Sequence, residues 1–472
     1  MSPPDGAVPT KLKKLLPLAL LLLGTVLRAW ELGGPSLTVD EATTVYFSAF
    51  PPGQLAQVLL ATHEVHPPGY LTFLHGLMQV GLSETWLRLP SLLFGILTLI
   101  AGYWLFGLLE DAYEIKVAAL CLLAFSSYHV AACRELRMYS LLTLLVTLGL
   151  AGLLYWLKTE DHRGLVAYCA CFAGSYWVHY LSFFCLPVAL VWLWLVRPQA
   201  WKWWLGATAT SFLPFLAWVP VLLGQVGGQD LLLRQAPSLS LLLELFGRMA
   251  LGDVGPAGVA GWMAAGVLVL GALGLAAREA PQSGARLCLS WLLVPILAVF
   301  TVSSLTSIRI FEFKYFVFTT PALCWLIASL QPRRLVVPGM VLVNLVTCGI
   351  VFEAGSRYGG DWRTVANYLR AVPRPDDAIL VHPSMMATPL LYYGISPHRL
   401  QPTDQLDEGQ LSALAQKPAV YLVTTPFHPF VLQEKLDSRF AHWTRTASEQ
   451  SPAYLPSGII RIERFVPPAS GD

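Results

Sequence analysis

Up to residue 352 the chain is a succession of apolar runs, each near the length that crosses a bilayer, separated by short polar stretches. A membrane's hydrocarbon core needs ~20 apolar residues per helical span. Runs of this kind lie at 15–30, 88–108, 116–133, 138–157, 164–180, 182–196, 204–223, 257–277, 286–304, 315–330 and 335–352, so eleven spans are expected. Composition agrees: 55% of residues are hydrophobic and 13% charged, where a soluble globular chain carries ~25% charge. A soluble enzyme, a disordered chain and a coiled coil are therefore excluded. The formal net charge of +2 gives no basis for holding a polyanion, and no nucleic-acid partner is expected.

The end of the chain reads differently. Residues 1–352 hold 20 Lys and Arg and 17 Asp and Glu, whereas 353–472 alone hold 11 and 12 and contain no spanning run. The expected organisation is a polytopic α-helical membrane domain at 1–352 followed by a small soluble α/β domain at 353–472. Within that tail an amphipathic helix is expected from Asp361 to about Ala371, a second helix at 386–393, and strands at 378–382, 419–424 and 459–465. The cysteines (Cys121, Cys133, Cys169, Cys171, Cys185, Cys288, Cys324 and Cys348) all precede the tail. Their spacing matches no zinc or redox motif, and they read as buried apolar thiols.

Charge also sets orientation. Lys11, Lys13 and Lys14 precede the first run and no small-residue cleavage site follows, so that run is a span with its N-terminus in the cytoplasm. The apolar segment 68–82 is short for a span and is assigned to the outer interface. Lys116, Lys158, Arg163, Arg197, Lys202, Arg278, Arg286, Arg333 and Arg334 then fall on the cytoplasmic side, as positive-inside bias requires. The other side receives Asp40, Glu41, Glu64, His66, Glu135, Arg137, His179 and Lys314, and an odd number of spans puts 353–472 there too. The tail is thus expected to be extracytoplasmic.

Ionisable groups near hydrocarbon are costly and point to function. Ser36 or Thr38 can start a helix with Asp40 and Glu41 in its first turn. Acids there also simply offset the helix dipole, worth ~0.3–1 kcal/mol. Next, Pro67 and Pro68 preset a helix start just after His66. His63, Glu64 and His66 leave a divalent metal as an option, although they are too close in sequence to form a full tetrahedral set alone. Then Arg134 and Arg137, three apart and on one helical face in this reading, suit a phosphate, because a guanidinium donates two parallel hydrogen bonds. Snorkelling beside Glu135 is the plainer account of the same arginines. Further on, His179 with Tyr180 closes a span, Arg309, Glu312, Lys314 and Tyr315 precede another, and 224–253 reads as a long outer loop carrying Arg234 and Arg248.

Taken together, Val39-Asp40-Glu41-Ala42, His66-Pro67-Pro68-Gly69-Tyr70, Leu87-Arg88-Leu89-Pro90-Ser91 and Arg134-Glu135-Leu136-Arg137-Met138-Tyr139-Ser140 resemble, in order and spacing, the motifs of the GT-C glycosyltransferases that use lipid-linked sugars. That superfamily includes protein O-mannosyltransferases, aminoarabinose transferases and bacterial mannosyltransferase-like membrane proteins. The resemblance runs from about Trp30 to Leu142. It implies a GT-C-like helical membrane domain with interfacial helices, in a bacterial inner membrane. The implied reaction moves a hexosyl or pentosyl group from a polyprenyl phosphate to a lipid, glycan or protein acceptor outside the cytoplasm, inverting the anomeric centre.

The resemblance assigns catalysis to Asp40, with Glu41 orienting the acceptor, assisting or capping the helix. It assigns the donor phosphate to Arg137, His66, Arg134, Tyr315 and Lys314, supported by Glu64, Glu135, Tyr139, His179 and Arg88. Where His66 stands here, the aminoarabinose branch has a lysine. No glycine-rich nucleotide loop occurs, in keeping with a donor delivered by lipid. A polytopic transporter or flippase for lipid-linked saccharides is the alternative; transporters commonly carry internal repeats and midplane charge, and here the ionisable residues gather at one face.

Overall fold

Long apolar runs in a chain so poor in charge become helices, because in hydrocarbon only a helix satisfies its own backbone. The computed structural model describes residues 10–62, 64–227, 236–252, 258–279, 282–331, 333–354, 360–403, 406–424, 443–449 and 460–467. The chain divides into two compact units. The first is Met1–Leu32, Phe50–Gly81 and Leu87–Ile350, and the second is Gly33–Ala49, Leu82–Trp86 and Val351–Asp472.

In chain order the helices begin with α1 (Thr10–Ala29), α2 (Val39–Ser48), α3 (Leu55–Ala61), α4 (Pro68–Met78), α5 (Glu84–Leu109), α6 (Tyr113–Phe125) and α7 (Ser127–Arg134). They continue with α8 (Tyr139–Thr159), α9 (Arg163–Val178), α10 (Leu186–Val196), α11 (Trp201–Phe212), α12 (Val219–Gly227) and α13 (Leu239–Leu251). The rest of the helical part is α14 (Val259–Glu279), α15 (Gln282–Leu305), α16 (Thr320–Ala328) and α17 (Arg333–Ala354).

Six helical stretches are long and apolar enough to cross a membrane among the described residues: Glu84–Leu109, Tyr139–Thr159, Pro198–Gln225, Val259–Arg278, Ser283–Leu305 and Arg333–Phe352. A seventh arises if α6 and α7, bent by 50°, count as one. Of the other runs expected to span, the first lies on the 20-residue α1 and the rest on the shorter elements α9, Tyr180–Val196 and Phe313–Ala328. Two prolines begin α4 as the sequence implies, and its 11 residues extend only ~16 Å, too short to cross. Within the segment expected as a loop at 224–253, residues 224–227 and 239–251 are helical: Ser238 caps α13, whose Arg248 pairs with Glu244 at 2.5 Å and lies over the Trp262 ring at 3.8 Å. Arg234 lies outside the described residues.

The break between α6 and α7 orders much of the first unit. Ser126 leaves helical geometry (φ −58°, ψ 108°), which strips the last carbonyls of α6 and the first amide of α7 of helical partners. Arg28 of α1, fully buried, donates to the Ala124 and Leu123 carbonyls at 2.7 and 3.0 Å, and to Nδ1 of His129 at 2.8 Å. On the other flank, Oδ1 of Asn344 accepts from the Ser127 backbone amide at 2.8 Å, while its Nδ2 donates to the Ala250 carbonyl at 2.8 Å. Two distant helices, α1 and α17, thus supply what the break removes, and α13 holds Asn344 in place.

The second unit contains β1 (Ala378–Val381), β2 (Leu400–Pro402), β3 (Val420–Thr424), β4 (Thr444–Glu449) and β5 (Arg461–Val466), in the order β2-β1-β3-β5-β4. β1 is parallel to β2 and β3, while β5 is antiparallel to β3 and β4. Helices α18 (Trp362–Ala371), α19 (Ala387–Tyr392) and α20 (Glu408–Leu414) complete it. Trp362, Val365, Leu369, Ile379, Val381, Leu390, Tyr421 and Ile462 form its main core, the α18 residues recurring at the i, i+3, i+7 spacing of a helix face. β2, β4 and α20 have no counterpart in the sequence reading. Short polar segments such as Thr444–Glu449 gain their strand geometry from the neighbour they pair with.

Replacing Arg28 with Met, or Asn344 with Leu, leaves buried backbone groups at the break unpaired, at ~1–3 kcal/mol for each. Both variants are expected to melt at lower temperature in detergent than the parent protein. Unchanged melting midpoints in both would show that the break does not depend on these side chains.

Candidate anion-binding site

The polar groups that matter converge within the first unit where α4, α8 and α9 meet the 3-10 turn Phe313–Thr319. α4 reaches α9 because Gly69 has no side chain: a Cβ there would lie 2.5 Å from the Trp177 carbonyl oxygen. That approach brings His66, just before α4, to His179, just after α9, with ring centroids 5.6 Å apart. Tyr139 opens α8 and its ring lies 5.9 Å from those of both His179 and Tyr315. Tyr315 in turn is 5.3 Å from His179. Lys314 is near enough to bear electrostatically on Tyr139 and His179.

Arg137 enters this aromatic cluster from an extended stretch. α7 stops at Arg134 and Glu135 is extended (φ −97°, ψ 137°), so Arg134 and Arg137 do not share the helical face that their spacing implied. The backbone turns here, and Ser91 of the Leu87–Ser91 motif holds the turn by donating to the Arg137 carbonyl at 3.3 Å. The Arg137 guanidinium donates to Nε2 of His66 at 3.2 Å and lies 5.7 Å from the Tyr139 ring centroid. A guanidinium only donates, so His66 Nε2 is the lone-pair nitrogen and Nδ1 carries the proton. Nδ1 donates to the Glu64 carboxylate. In this arrangement His66 aims Arg137, and Glu64 aims His66.

His179 has the opposite tautomer. Its Nδ1 accepts from the Leu181 backbone amide at 3.1 Å, which leaves the proton on Nε2. That Nε2–H and the Tyr139 hydroxyl are shut from solvent and make no hydrogen bond among the described residues. Burying a polar group without a partner is unfavourable. The imidazole donor of the cluster is therefore His179, and with Arg137 and the Tyr139 hydroxyl it forms a set suited to a multivalent oxyanion.

Other expected site residues lie elsewhere. Arg134 donates to the carbonyls of Arg28 and Trp30 at the end of α1. Arg88 is buried and donates to the Leu32 carbonyl at 3.1 Å, so both arginines shape the exit of α1. Glu135 lies at the C-terminus of α7. Asp40 and Glu41 belong to the second unit, in the first turn of α2, where Thr38 and Glu41 form a capping box: the Glu41 carboxylate accepts from the Thr38 amide at 2.9 Å. His63 lies outside the described residues, and among those described no group of three His, Cys, Asp or Glu side chains is placed to hold a metal.

One residue escaped the sequence reading. Gln225 of α12, fully buried, donates its amide to the Glu64 carbonyl at 2.5 Å and accepts from the Tyr180 hydroxyl at 2.6 Å. It pins the stretch that carries Glu64 and His66 from 161 residues away. An uncharged glutamine inside an apolar run carries no signal in one sequence. Gln225→Glu keeps the shape and the Tyr180 bond but faces oxygen against a carbonyl. It is expected to speed amide exchange across 64–70 by about tenfold, the equivalent of one lost hydrogen bond; unchanged exchange would remove Gln225 from the site.

No protein-family model matches the chain, and no curated protein matches it in sequence. Solved structures do match. Apo ArnT from Cupriavidus metallidurans aligns over 96% of this chain and 98% of its own, with a TM-score of 0.59 at 14% identity. The same protein bound to undecaprenyl phosphate aligns over 98% and 99%, at 0.58 and 15%. The oligosaccharyltransferase AglB from Archaeoglobus fulgidus, in complex with an inhibitory peptide and a dolichol-phosphate, covers 87% of this chain and 70% of its own, at 0.53 and 10%. At these identities the likeness is one of architecture, and it extends well beyond the motif region to nearly the whole chain. The chain shares the fold of ArnT and of the Archaeoglobus fulgidus oligosaccharyltransferase, and six helical stretches among its described residues are long and apolar enough to cross a membrane.

Proposed function

We propose that this protein is an inverting glycosyltransferase that takes a sugar from a polyprenyl-phosphate donor and gives it to a hydroxyl or amine acceptor outside the cytoplasm. The observation that carries this reading is the buried convergence of the Arg137 guanidinium, the His179 Nε2–H and the Tyr139 hydroxyl. All three donate, and the helices that bring them together, α4, α8 and α9, are built mainly from apolar residues. A lipid phosphate meets both needs, since its head takes several donors and its tail belongs in hydrocarbon. The relatives of like fold that bind undecaprenyl phosphate and dolichol-phosphate support the same class of ligand.

In this proposal the acceptor's nucleophilic atom attacks the anomeric carbon on the face opposite the phosphate. The bond from that carbon to the phosphate oxygen breaks, and its electron pair leaves with the polyprenyl phosphate. Charge grows on the phosphate as this happens, and donors already fixed in a dry site stabilise it without reorganising. His66 and Glu64 hold Arg137 for that purpose, and Lys314 adds positive charge nearby. Asp40 takes the acceptor's proton; that role rests on its place in the Val39-Asp40-Glu41-Ala42 motif. Glu41, engaged in its capping box, keeps the start of α2 in shape. We further propose a membrane domain at 1–352, a cytoplasmic N-terminus in a bacterial inner membrane and an extracytoplasmic 353–472.

Undecaprenyl phosphate binding by purified protein tests the phosphate site. Arg137→Ala is expected to weaken it by about 10- to 100-fold, the cost of a lost charged hydrogen bond. Arg137→Lys should restore little, because lysine lacks the guanidinium's paired donors. If Arg137→Ala lowers thermal stability but leaves that affinity unchanged, the arginine is structural and the phosphate assignment fails. Asp40→Asn should cut turnover by ~10²–10⁴-fold while undecaprenyl phosphate binding persists. Turnover is read as polyprenyl phosphate released from the host membrane's own lipid-linked sugars. Near-normal release by Asp40→Asn would refute the base assignment. A reporter fused after Asp361 should label from outside the cytoplasm, and labelling from within would overturn the orientation.

A further inference from the structure

The second unit joins sequence that is far apart: residues 33–49, which carry α2, and 82–86 fold with 351–472. Three consecutive residues ahead of α2 are each held. The Ser36 hydroxyl donates to the Gly360 carbonyl at 3.1 Å and accepts from the Trp362 amide at 3.2 Å, at the start of α18. Gly360 has φ +75°, a conformation that side chains other than glycine's disfavour. The Leu37 amide donates to the Tyr393 hydroxyl at 2.8 Å, and Leu37 is fully buried. Thr38 closes the capping box.

Tyr393 passes the connection onward. Its hydroxyl donates to the Glu84 carboxylate at 3.0 Å, and the same oxygen accepts from the Arg363 guanidinium at 2.7 Å. Burial pushes the Tyr393 pKa up, so the phenol keeps the proton that it donates. Within α2 itself, Val39 packs on the core built from α18, α19 and the sheet, and the Thr43 and Thr388 hydroxyls lie 3.0 Å apart. A helix of 10 residues is marginal alone in water. α2 owes its place to these contacts.

We infer that the C-terminal sheet unit is the mount of the acid-bearing helix, with Tyr393, Glu84 and Arg363 as positioning residues that fix α2 and therefore Asp40. This inference rests on the proposal that Asp40 is the base, and it gives the C-terminal part of the chain a role in turnover without a catalytic group of its own. The phosphate cluster is built from residues of the first unit, so the two roles are separable by measurement. Loosening the mount should lower kcat and leave lipid-phosphate affinity as it was.

The test uses the full chain in detergent. Tyr393→Phe removes both bonds of the hydroxyl, Arg363→Met removes the positive charge that faces Glu84, and Arg363→Lys returns it. Amide exchange across 38–48 should quicken by about tenfold in the first two variants, one bond's worth, while α18 and β1 hold their protection. Polyprenyl phosphate release from host-membrane lipid-linked sugars should fall by a similar factor, with undecaprenyl phosphate affinity within about twofold of the parent. Arg363→Lys should recover part of the loss. Unchanged exchange across 38–48 overturns the inference. So does faster exchange with normal release, provided that Asp40→Asn abolishes release; if Asp40→Asn retains release, the failure lies with the base assignment instead. Where Tyr393→Phe also loosens α18 and β1, Thr43→Val decides: it must slow release without loosening the sheet, and no effect refutes the mount.

Discussion

Arg28 donates to the carbonyls that the break after α6 leaves bare, and much of the first unit depends on that contact. In hydrocarbon an unpaired backbone group costs several kcal/mol, so a span interrupted at membrane depth survives only where other elements supply its missing bonds. Arg28 does this for α6 and Asn344 for α7. The benefit of the break is direction: α7 leaves the line of α6 by 50° and delivers the chain to the extended turn at Glu135. Arg137 is on that turn. The charged group that a continuous span would bury without partners is instead presented to a prepared set of side chains.

That set shows how two histidines of one cluster acquire different duties. His66 accepts from Arg137 and His179 accepts from a backbone amide, and in each case the neighbour decides which nitrogen keeps the proton. His66 is thereby turned toward the arginine, with Glu64 behind it. His179 presents an N–H alongside the Tyr139 hydroxyl. The proposed phosphate chemistry draws on fixed donors of this kind, because a site that does not reorganise stabilises developing charge most effectively.

The second unit applies the same logic to an acid. A helix of under three turns with a capping box is well started but poorly held, and its hold comes from a tyrosine, a carboxylate and an arginine brought from positions 393, 84 and 363. One carboxylate oxygen receives two donors, and one phenol serves as both acceptor and donor. Such a relay is geometrically demanding, which suits a part whose purpose is placement.

The apolar runs, the lysines ahead of the first of them and the charge-rich tail were legible from residue order, because length and hydropathy decide what can lie in a bilayer and nothing else in the chain overrides that. So were the helix starts at Thr38 and Pro68, which depend on neighbours within a few residues. The motifs carrying Asp40, His66 and Arg137 were visible as local patterns too. Only the tertiary structure decided that Arg134 turns back to the end of α1 while Arg137 faces His66, since a backbone break at Glu135 separates two residues whose spacing promised one face. It alone decided that His179 is the free donor, that Gln225 fastens the His66 stretch, and that α2 belongs with the C-terminal sheet. Apart from the Leu181 amide that sets the His179 tautomer, each of these depends on contacts between residues from 71 to 356 positions apart or on a lone backbone torsion. Residue order specifies such contacts only through the packed whole, and local periodicity carries no trace of them.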